Sequence, residues 1–373
     1  MSNNMRHPFP PEAVPLLLDW YRTHARDLPW RADTDPYRVL VSEIMLQQTR
    51  AETVKPYFAR FMATLPTLAD LAAADEDTLL KLWEGLGYYS RVRNLGRAAQ
   101  KVMQDYGGVI PADVEALLTL PGVGRYTAGA VASIAYDIPA PAVDGNVLRV
   151  VARLTADDTD VLLPAAKAAA EAAITPCIPT PGAGDFTQSL IELGALVCLP
   201  GEPRCDECPL ALLCRARTEG RTAELPVRGK PKQRRVEERV VFLLRVGEGA
   251  DAPLILCKRP RGLLGGLYEF PNRLLSELPD GGDLPERSAA ALRSWGLEVA
   301  EVKSVGAAKH LFSHVEWRME GVLAILRADA TLPQGWLAVS PADMQESHAV
   351  PSAFAVFREA VGLPPAGNKK PKR

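Results

Sequence analysis

The chain has 373 residues, of which 47% are hydrophobic and 24% are charged, and its formal net charge at pH 7 is −2. This length allows two or three domains with separate cores, and the composition is that of a globular protein. The small net charge excludes a uniformly basic nucleic-acid binder, so any DNA-binding surface must be local. The sequence lacks a run of about 18 apolar residues and a signal-peptide core, so we expect a cytoplasmic protein with no membrane partner.

The first 225 residues predict an all-helical region. Apolar residues recur at three- and four-residue spacing in several segments. Asp35 and Pro36 form a helix start, with an acid at the N-cap and proline at the first helical position. The small side chains of residues 128–133 predict a buried helix that packs closely against its neighbours. The segments predicted to be helical include residues 14–24, 36–48, 76–82 and 164–174.

The composition changes after Leu225. Residues 226–236 are basic, contain glycine and proline and show no periodicity, so they predict an exposed linker. Residues 237–365 predict an α+β domain. Its strands are expected at residues 239–246, 253–258, 299–305 and 316–326, with a helix at 286–295. Residues 366–373 form a basic tail that we expect to be disordered.

Four cysteines lie close together at Cys198, Cys205, Cys208 and Cys214. Without an export signal, such a cluster favours a metal centre over disulfides. Zinc sites usually consist of two cysteine pairs separated by a longer spacer, whereas an iron–sulfur cube also takes four thiolates. The spacing by itself leaves both metal centres open.

Residues 120–124 predict a turn between two helices. Gly122 and Gly124 can both adopt positive φ, and the amides that begin the next helix favour an anion such as a DNA phosphate. Asp144 follows about twenty residues later and precedes Gly145 and Asn146. An aspartate in that position is usually an N-cap or turn residue, so neither feature is specific by itself.

The hairpin, the aspartate and the cysteine loop, in this order, resemble the helix-hairpin-helix DNA glycosylases. Residues 15–225 are similar to the MutY family within the endonuclease III superfamily. The resemblance implies a catalytic region over residues 1–225, with a six-helix subdomain at about 32–138. A cluster subdomain, at about 1–31 plus 139–225, would bind a 4Fe–4S cluster through the four cysteines. Gly122 and Gly124 would contact DNA.

Tyr126 distinguishes between members of this superfamily. Relatives that also cut the DNA strand carry a lysine two residues after the last glycine of the hairpin, and its amine forms a Schiff base with the sugar. Tyrosine cannot form an imine. The resemblance therefore implies base removal without an efficient lyase step.

Residues 28–31 and 42–49 resemble the adenine pocket of the MutY family and its adjoining helix. The resemblance implies that Glu43 protonates adenine N7, which requires an acid whose pKa is raised by a partly apolar pocket. Asp144 would stay ionised and stabilise an oxocarbenium-like sugar, or bond to it, as in glycoside hydrolysis. Tyr126 and Asn146 would orient the carboxylates and the sugar.

Further residues match the family's base pocket and DNA contacts. Gln188 occupies a pocket position that is acidic in some relatives, so a carboxylate role is not expected there. Flipping a base out of the helix leaves a gap that a side chain must fill. The expected adenine-pocket residues are Leu28, Trp30, Arg31 and Gln188; the expected intercalating residues are Gln48 and Tyr88; the expected phosphate contact is Arg91.

Residues 262–271 resemble the Nudix-like domain of MutY proteins. A Nudix hydrolase binds Mg²⁺ through carboxylates on one helix, but the corresponding positions here are Ala289, Ala290, Arg293 and Ser294. Nucleotide hydrolysis is therefore not expected. Phe312, Ser313 and His314 match the family's loop that recognises 8-oxoguanine.

The sequence as a whole predicts a monofunctional, monomeric glycosylase that removes adenine opposite 8-oxoguanine or guanine in double-stranded DNA. A bacterial-type cytoplasm, with the enzyme on the nucleoid, is the expected location. Three alternatives remain: an endonuclease III-like glycosylase with lyase activity, a DNA-damage binder without catalysis, and a nucleotide pyrophosphatase. Tyr126 argues against the first, and the missing Nudix carboxylates argue against the last.

Overall fold

The computed structural model describes residues 7–229, 233–249, 251–260 and 262–363. Their contacts divide the chain into two compact units. The described parts of residues 1–74 and 91–230 form the first unit, and Asp75–Ser90 joins the described parts of 231–373 in the second. The expected basic tail and residues 230–232 of the expected linker lie outside the described residues. Within the described ranges, no helix combines the length and apolarity needed to cross a membrane.

The predicted helical character of the first 225 residues is confirmed. The helix over Glu76–Leu82, called α5 below, belongs to the second unit although its neighbours in the chain belong to the first. In chain order the helices are α1 (Ala13–His24), α2 (Pro36–Leu46), α3 (Ala51–Thr64), α4 (Leu68–Ala73), α5 (Glu76–Leu82), α6 (Ser90–Asp105), α7 (Val114–Leu118), α8 (Arg125–Tyr136), α9 (Gly145–Leu154), α10 (Pro164–Ile174), α11 (Ala183–Leu196) and α12 (Arg215–Thr218).

The start of α2 follows the local sequence. The carboxylate of Asp35 accepts hydrogen bonds from the backbone N–H groups of Tyr37 and Arg38, at 2.8 and 3.1 Å. This is the N-cap that the sequence predicts. The helix ends at Leu46, two residues before the predicted end, because Gln48 has a φ of 55°. A left-handed residue cannot continue a right-handed helix.

Small residues let α8 pack closely against its neighbours. A Cβ atom on Gly129 would lie 2.1 Å from the carbonyl oxygen of Pro141. A Cβ atom on Gly184, in α11, would lie 2.9 Å from the carbonyl oxygen of Ser133. Ala128 and Ala130 are fully buried. The prediction of a buried, closely packed helix is confirmed, and the packing places the first turn of α8 beside α2.

An apolar core in the first unit joins the two ends of the helical region. It contains buried residues of α1, α9, α10 and α11, so residues before position 32 and after position 139 share one apolar cluster. The side chains of Cys198, Cys208 and Cys214 pack against this cluster. The cysteine loop therefore lies on the core that α9 helps to build.

The second unit contains a mixed seven-stranded sheet. Its strands are β1 (Arg235–Val246), β2 (Leu254–Lys258), β3 (Tyr268–Glu269), β4 (Asn272–Leu274), β5 (Val299–Leu311), β6 (Val315–Leu326) and β7 (Trp336–Val339); its helices are α13 (Leu284–Ser294) and α14 (Pro341–Glu346). The strand order is β3-β2-β1-β6-β5, with β4 paired to β1 and β7 paired to β2. The strand β1 runs parallel to β6 over twelve residue pairs, and the remaining pairings are antiparallel.

Both faces of this sheet are covered. Along β1, Phe242 belongs to an apolar cluster that includes residues of α13, whereas Val241 and Leu243 belong to a cluster that includes Phe354 and Phe357. Successive side chains of a strand point to opposite faces, so β1 is buried on both sides. The expected α+β domain is confirmed. The strands β1 and β5 are longer than predicted because backbone pairing with β6 continues where their side chains are exposed.

The close approach at Gly129 makes a testable prediction for stability. Alanine there places a methyl group against backbone, which cannot rotate away, so Gly129→Ala should lower the free energy of unfolding by roughly 1–3 kcal/mol. Gly145→Ala is the matched control, because nothing lies within 4 Å of a Cβ atom at that position. Urea denaturation measures both variants. Equal midpoints for the two would contradict the packing described above.

Candidate active site and DNA-facing residues

Asp144 is the N-cap of α9. Its Oδ1 accepts hydrogen bonds from the backbone N–H groups of Asn146 and Val147, both at 2.8 Å, and its Oδ2 accepts from Asn146 Nδ2 at 2.9 Å. Burial raises the pKa of the Asp144 carboxyl, and these hydrogen bonds act in the opposite direction. The positive end of the helix also favours a negative charge. The residue is both a helix cap and a fixed carboxylate.

Glu43 is a buried carboxylic acid on α2, with 5% of its surface exposed. The hydroxyl of Tyr126, in the first turn of α8, donates a hydrogen bond of 2.6 Å to its Oε2. Burial raises the pKa of Glu43 to about 7, against the lowering effect of the Tyr126 hydrogen bond; Asp144 raises it further and Arg31 lowers it. An acid with this pKa can give up a proton near neutral pH.

Tyr126 keeps its proton in this environment. Burial, followed by the nearby carboxylates of Glu43 and Asp144, raises the pKa of its hydroxyl well above the usual value. The hydroxyl therefore stays a hydrogen-bond donor over the physiological pH range. The structure brings Glu43, Tyr126, Asp144 and Asn146 into one site, as the sequence predicts.

Arg149 connects this site to the cysteine loop. Its Nη2 donates to Asn146 Oδ1 at 2.9 Å and to the carbonyl of Gly194 at 2.7 Å, and its Nε donates to the carbonyl of Cys198 at 2.7 Å. A Cβ atom on Gly194 would lie 2.6 Å from Asn146 Cβ, so α9 and α11 are in close contact there. Sequence reasoning missed Arg149: its spacing of three residues from Asn146 is a local signal, but nothing local indicates the carbonyls of Gly194 and Cys198.

Leu28 and Trp30 lie in the interior, with 3% and 6% of their surfaces exposed. The Trp30 ring packs edge-on against Phe58, with the ring centres 5.6 Å apart. Trp30 is expected to line the adenine pocket; in this structure its indole is buried and packs against the protein core.

Arg31 is held by a carboxylate that the sequence analysis missed. Glu192 is fully buried; its Oε2 accepts from Arg31 at 2.9 Å and its Oε1 accepts from Arg26 Nε at 2.7 Å. Although burial would raise the pKa of Glu192, the hydrogen bonds from the two arginines lower it to about 2. Glu192 lies one helical turn after the half-buried Gln188 on α11. Residues four apart lie on the same face of a helix, so the spacing from the expected pocket residue Gln188 could have identified Glu192 from the sequence.

The hairpin between α7 and α8 has one left-handed glycine. Gly122 has a φ of 78°, and a Cβ atom there would lie 2.6 Å from Asn94 Cβ. Gly124 has a φ of −97° and is the N-cap of α8, so of the two hairpin glycines only Gly122 takes up the positive φ that both can adopt. Both glycines are exposed at the start of a twelve-residue helix, where free amides favour an anion.

Gln48 and Arg91 occupy different environments. Gln48 is exposed, in a left-handed conformation after α2. Arg91 is 8% exposed, and its Nη1 donates to the carbonyls of Ile44, Met45 and Gln47 at 2.6–3.0 Å. In this structure the guanidinium satisfies the last carbonyls of α2, and the phosphate contact of Arg91 stays a prediction.

The four clustered cysteines line one pocket. The pocket holds about 300 Å³ of empty space, counting the part open to solvent, and its walls include Cys198, Cys205, Cys208 and Cys214. In the described part of the chain no three metal-binding side chains converge on a single point. Arg153 donates a hydrogen bond of 3.3 Å to Cys198 Sγ, as expected around a ligating thiolate. Four thiols around one pocket are the donor set of a group in which each thiolate binds a separate iron.

The turn of Phe312, Ser313 and His314 joins β5 to β6 in the second unit. The Phe312 ring packs on Trp317, with the ring centres 4.9 Å apart, whereas Ser313 and His314 are exposed. Within the same unit, the Tyr88 hydroxyl lies 2.9 Å from Ser313 Oγ. Two residues predicted to contact DNA from different parts of the sequence thus meet at one point.

The chain is similar in sequence to known protein families and to known proteins. Residues 41–176 match the family model described as HhH-GPD superfamily base excision DNA repair protein, and residues 240–360 match a NUDIX domain. The adenine DNA glycosylase of Rattus norvegicus is 35% identical over 422 residues, which cover 95% of this chain and 80% of the relative. The enzyme of the same name from Homo sapiens is 36% identical over 80% of this chain and 64% of its own length.

The chain belongs to the adenine DNA glycosylase family. It is therefore a DNA glycosylase of base excision repair. A solved structure, a thermostable thymine-DNA glycosylase, matches with a TM-score of 0.51 at 32% identity, over 56% of this chain and 96% of the other. This match places the helical region in the same fold.

Although residues 240–360 match a NUDIX domain, the helix α13 does not carry the metal-binding carboxylates of a Nudix hydrolase. The helix α13 carries Ala289, Ala290, Arg293 and Ser294 at the metal-binding positions. Its one acidic residue, Glu286, forms a capping box with Asp283 at the start of the helix. No carboxylate of α13 is therefore available to bind Mg²⁺ as a Nudix helix does.

The raised pKa of Glu43 predicts a pH-dependent cost to stability. Its pKa rises from the usual 4.5 to about 7 on folding, so the folded state loses stability as the pH rises between these values. Glu43→Gln has no charge to bury. The variant should be roughly 3 kcal/mol more stable than the wild type at pH 8, and this difference should shrink towards pH 4.5.

Urea denaturation of both proteins at several pH values measures this difference. Asp19→Asn, at an exposed position, is the matched control and should leave the pH dependence unchanged. If wild type and Glu43→Gln lose stability in parallel as the pH rises, Glu43 is not protonated in the folded protein at pH 6.

Proposed function

We propose that this enzyme excises adenine paired with 8-oxoguanine or guanine from double-stranded DNA and leaves the strand intact. One observation carries the proposal: a buried acid, Glu43, has a pKa near 7 and a hydrogen-bonded tyrosine, and a second carboxylate, Asp144, is fixed at a helix N-terminus. Two carboxyl groups in such different environments can take the roles of acid and anion.

In the proposed reaction, Glu43 gives its proton to N7 of the flipped adenine. The bond between the sugar and N9 breaks, and its electron pair leaves with the base, which departs as neutral adenine. The Asp144 carboxylate stabilises the positive charge left on the sugar carbon, either as an ion pair or through a covalent bond with overall retention. Water then adds to that carbon and gives its proton to the Glu43 carboxylate, which restores the acid.

Tyr126 supports a monofunctional enzyme. A lyase needs an amine at this place to form a Schiff base, and here a phenol donates a hydrogen bond to Glu43 at 2.6 Å. Asn146 holds Asp144 through its side-chain amide and its backbone N–H. We assign Tyr126 to orienting the acid and Asn146 to orienting the anion.

The exposed Ser313 and His314 support a role for the second unit in reading the opposite base. A hydroxyl and an imidazole can bond to the edge of a damaged purine, and Tyr88, next to Ser313, can fill the gap left by the flipped base. All these residues come from one chain, so we propose that a monomer acts on DNA. A polymer of negative charge also fits the exposed amides of the α8 hairpin.

We propose that Cys198, Cys205, Cys208 and Cys214 bind a 4Fe–4S cluster. When bound, the cluster cross-links the loop and adds an electrostatic centre beside α9. Arg153, which donates to Cys198 Sγ and to the carbonyl of Leu199 at 2.8 Å, keeps the first cysteine oriented towards the pocket.

A cleavage assay tests the reaction. A duplex with adenine opposite 8-oxoguanine, treated with excess enzyme and then hot alkali, should be cut at the adenine; without alkali the strand should stay intact. Glu43→Gln and Asp144→Asn should each lower the single-turnover rate by at least about 100-fold, as expected for loss of an acid or of electrostatic stabilisation. Alkali-independent cleavage with a borohydride-trapped adduct would identify a lyase instead, and binding without cleavage would identify a damage binder.

Metal analysis tests the cluster. Protein purified without oxygen should contain about four irons and four sulfides per chain. Cys205→Ser should lower both, whereas Cys257→Ser, outside the pocket, should retain them. One equivalent of zinc in a colourless protein would contradict the cube.

A further inference from the structure

Residues 75–90 lie inside the helical region of the sequence but belong to the second unit. This segment contains α5 and the loop that carries Tyr88. Its contacts with residues 231–363 therefore decide where Tyr88 is held. Two charged side chains, Lys81 and Glu84, contribute several of those contacts.

Lys81 and Glu84 form a clamp between α5 and the segment 344–350. Lys81 Nζ lies 2.7 Å from Glu84 Oε2, and it also donates to the carbonyls of Met344 and His348 at 3.4 and 3.3 Å. An ammonium group has three donors, so this lysine uses all of them. The other oxygen of Glu84, Oε1, accepts from the backbone N–H of Val350 at 2.9 Å.

The clamp is shielded from water. The side chains of Lys81 and Glu84 are 20% and 24% exposed, so their charges are screened less than those of a surface pair. Charge-assisted hydrogen bonds to backbone groups also fix position better than a mobile surface ion pair. The segment 344–350 is anchored in turn, because Ala349 accepts a backbone hydrogen bond of 3.0 Å from Tyr268 and His348 packs against the Tyr268 ring.

The loop after Glu84 is held by hydrogen bonds of its own. Trp83 is fully buried, and its Nε1 donates to the carbonyl of Gly87 at 3.1 Å. The backbone N–H of Gly85 donates to the Tyr89 hydroxyl at 3.2 Å. Tyr88 has a φ of 48°, an unfavourable conformation for a residue with a Cβ atom. The surrounding contacts must therefore hold it, and its hydroxyl ends 2.9 Å from Ser313 Oγ.

We propose that Lys81 and Glu84 are positioning residues that hold Tyr88 in register with Ser313. Through this clamp the second unit, which reads the opposite base, also places the tyrosine that enters the base stack. Recognition of 8-oxoguanine and intercalation then depend on one rigid element. This inference rests on the proposed function, but the clamp itself can be tested without DNA.

The first test is hydrogen exchange of the DNA-free protein. Glu84→Ala and Lys81→Met should each speed amide exchange in residues 85–89 by roughly tenfold or more, the size expected for loss of a charge-assisted hydrogen bond. Asp77→Asn is the matched control: Asp77 lies on the same helix and pairs with Lys258 at 2.8 Å, but both side chains are about half exposed. It should leave exchange in residues 85–89 unchanged.

The second test measures discrimination between opposite bases under single-turnover conditions. Glu84→Ala should lower the ratio of rates with 8-oxoguanine and guanine opposite adenine by roughly tenfold. Adding Ser313→Ala to Glu84→Ala should cost less than the sum of the two single changes, because both act on the same contact. Glu84→Gln, which keeps an acceptor for Val350, should lose less than Glu84→Ala.

The outcomes separate the clamp from the proposed activity. Faster exchange in residues 85–89 in a protein that fails to remove adenine keeps the clamp and rejects the function. Unchanged exchange in both Glu84→Ala and Lys81→Met overturns the clamp whatever the activity. Equal rate losses on both base pairs, with discrimination intact, overturn the role of the clamp in holding Tyr88 in register with Ser313, because they reflect a general loss of stability.

Discussion

The structure of the catalytic unit depends on the placement of α9. Its N-terminus carries Asp144, whose carboxylate is held by the amides of its own first turn. Its next turn carries Arg149, which bonds to Gly194 and to Cys198. Its apolar face builds the core on which the cysteine loop lies. One helix therefore sets the position of the Asp144 carboxyl group, joins it to α11 and supports the loop of four thiols.

The two carboxylates of the site differ because their surroundings differ. Glu43 lies on a buried face of α2, where its main partner is a single hydroxyl, so its pKa rises to about 7. Asp144 receives three hydrogen bonds at the positive end of a helix, which oppose the effect of burial. The pKa of each carboxyl group is set by its environment and not by the choice between aspartate and glutamate. A third carboxylate, Glu192, is kept ionised by two arginines and fixes Arg31.

The second unit contains the sheet and the helix α13 of the region that matches a NUDIX domain, but the positions that would bind Mg²⁺ carry alanine, arginine and serine. The sheet also supports the turn that follows β5. Trp317 packs beneath Phe312 and is covered by the guanidinium groups of Arg239 and Arg259. The same unit binds α5 through Lys81 and Glu84, so the support extends to Tyr88.

The sequence by itself determined the helical and α+β regions, the N-caps, the missing lyase lysine and the identity of the residues around Asp144. These features are local: they follow from periodicity, capping chemistry and motifs within a few residues. Only the tertiary structure decided the long-range partners. Arg91 satisfies carbonyls of α2 some forty residues away, Glu192 holds Arg31 from a distant helix, and Tyr88 meets Ser313 across 225 positions. A long polar side chain bonds to whichever groups packing brings within reach, and packing is a property of the whole chain.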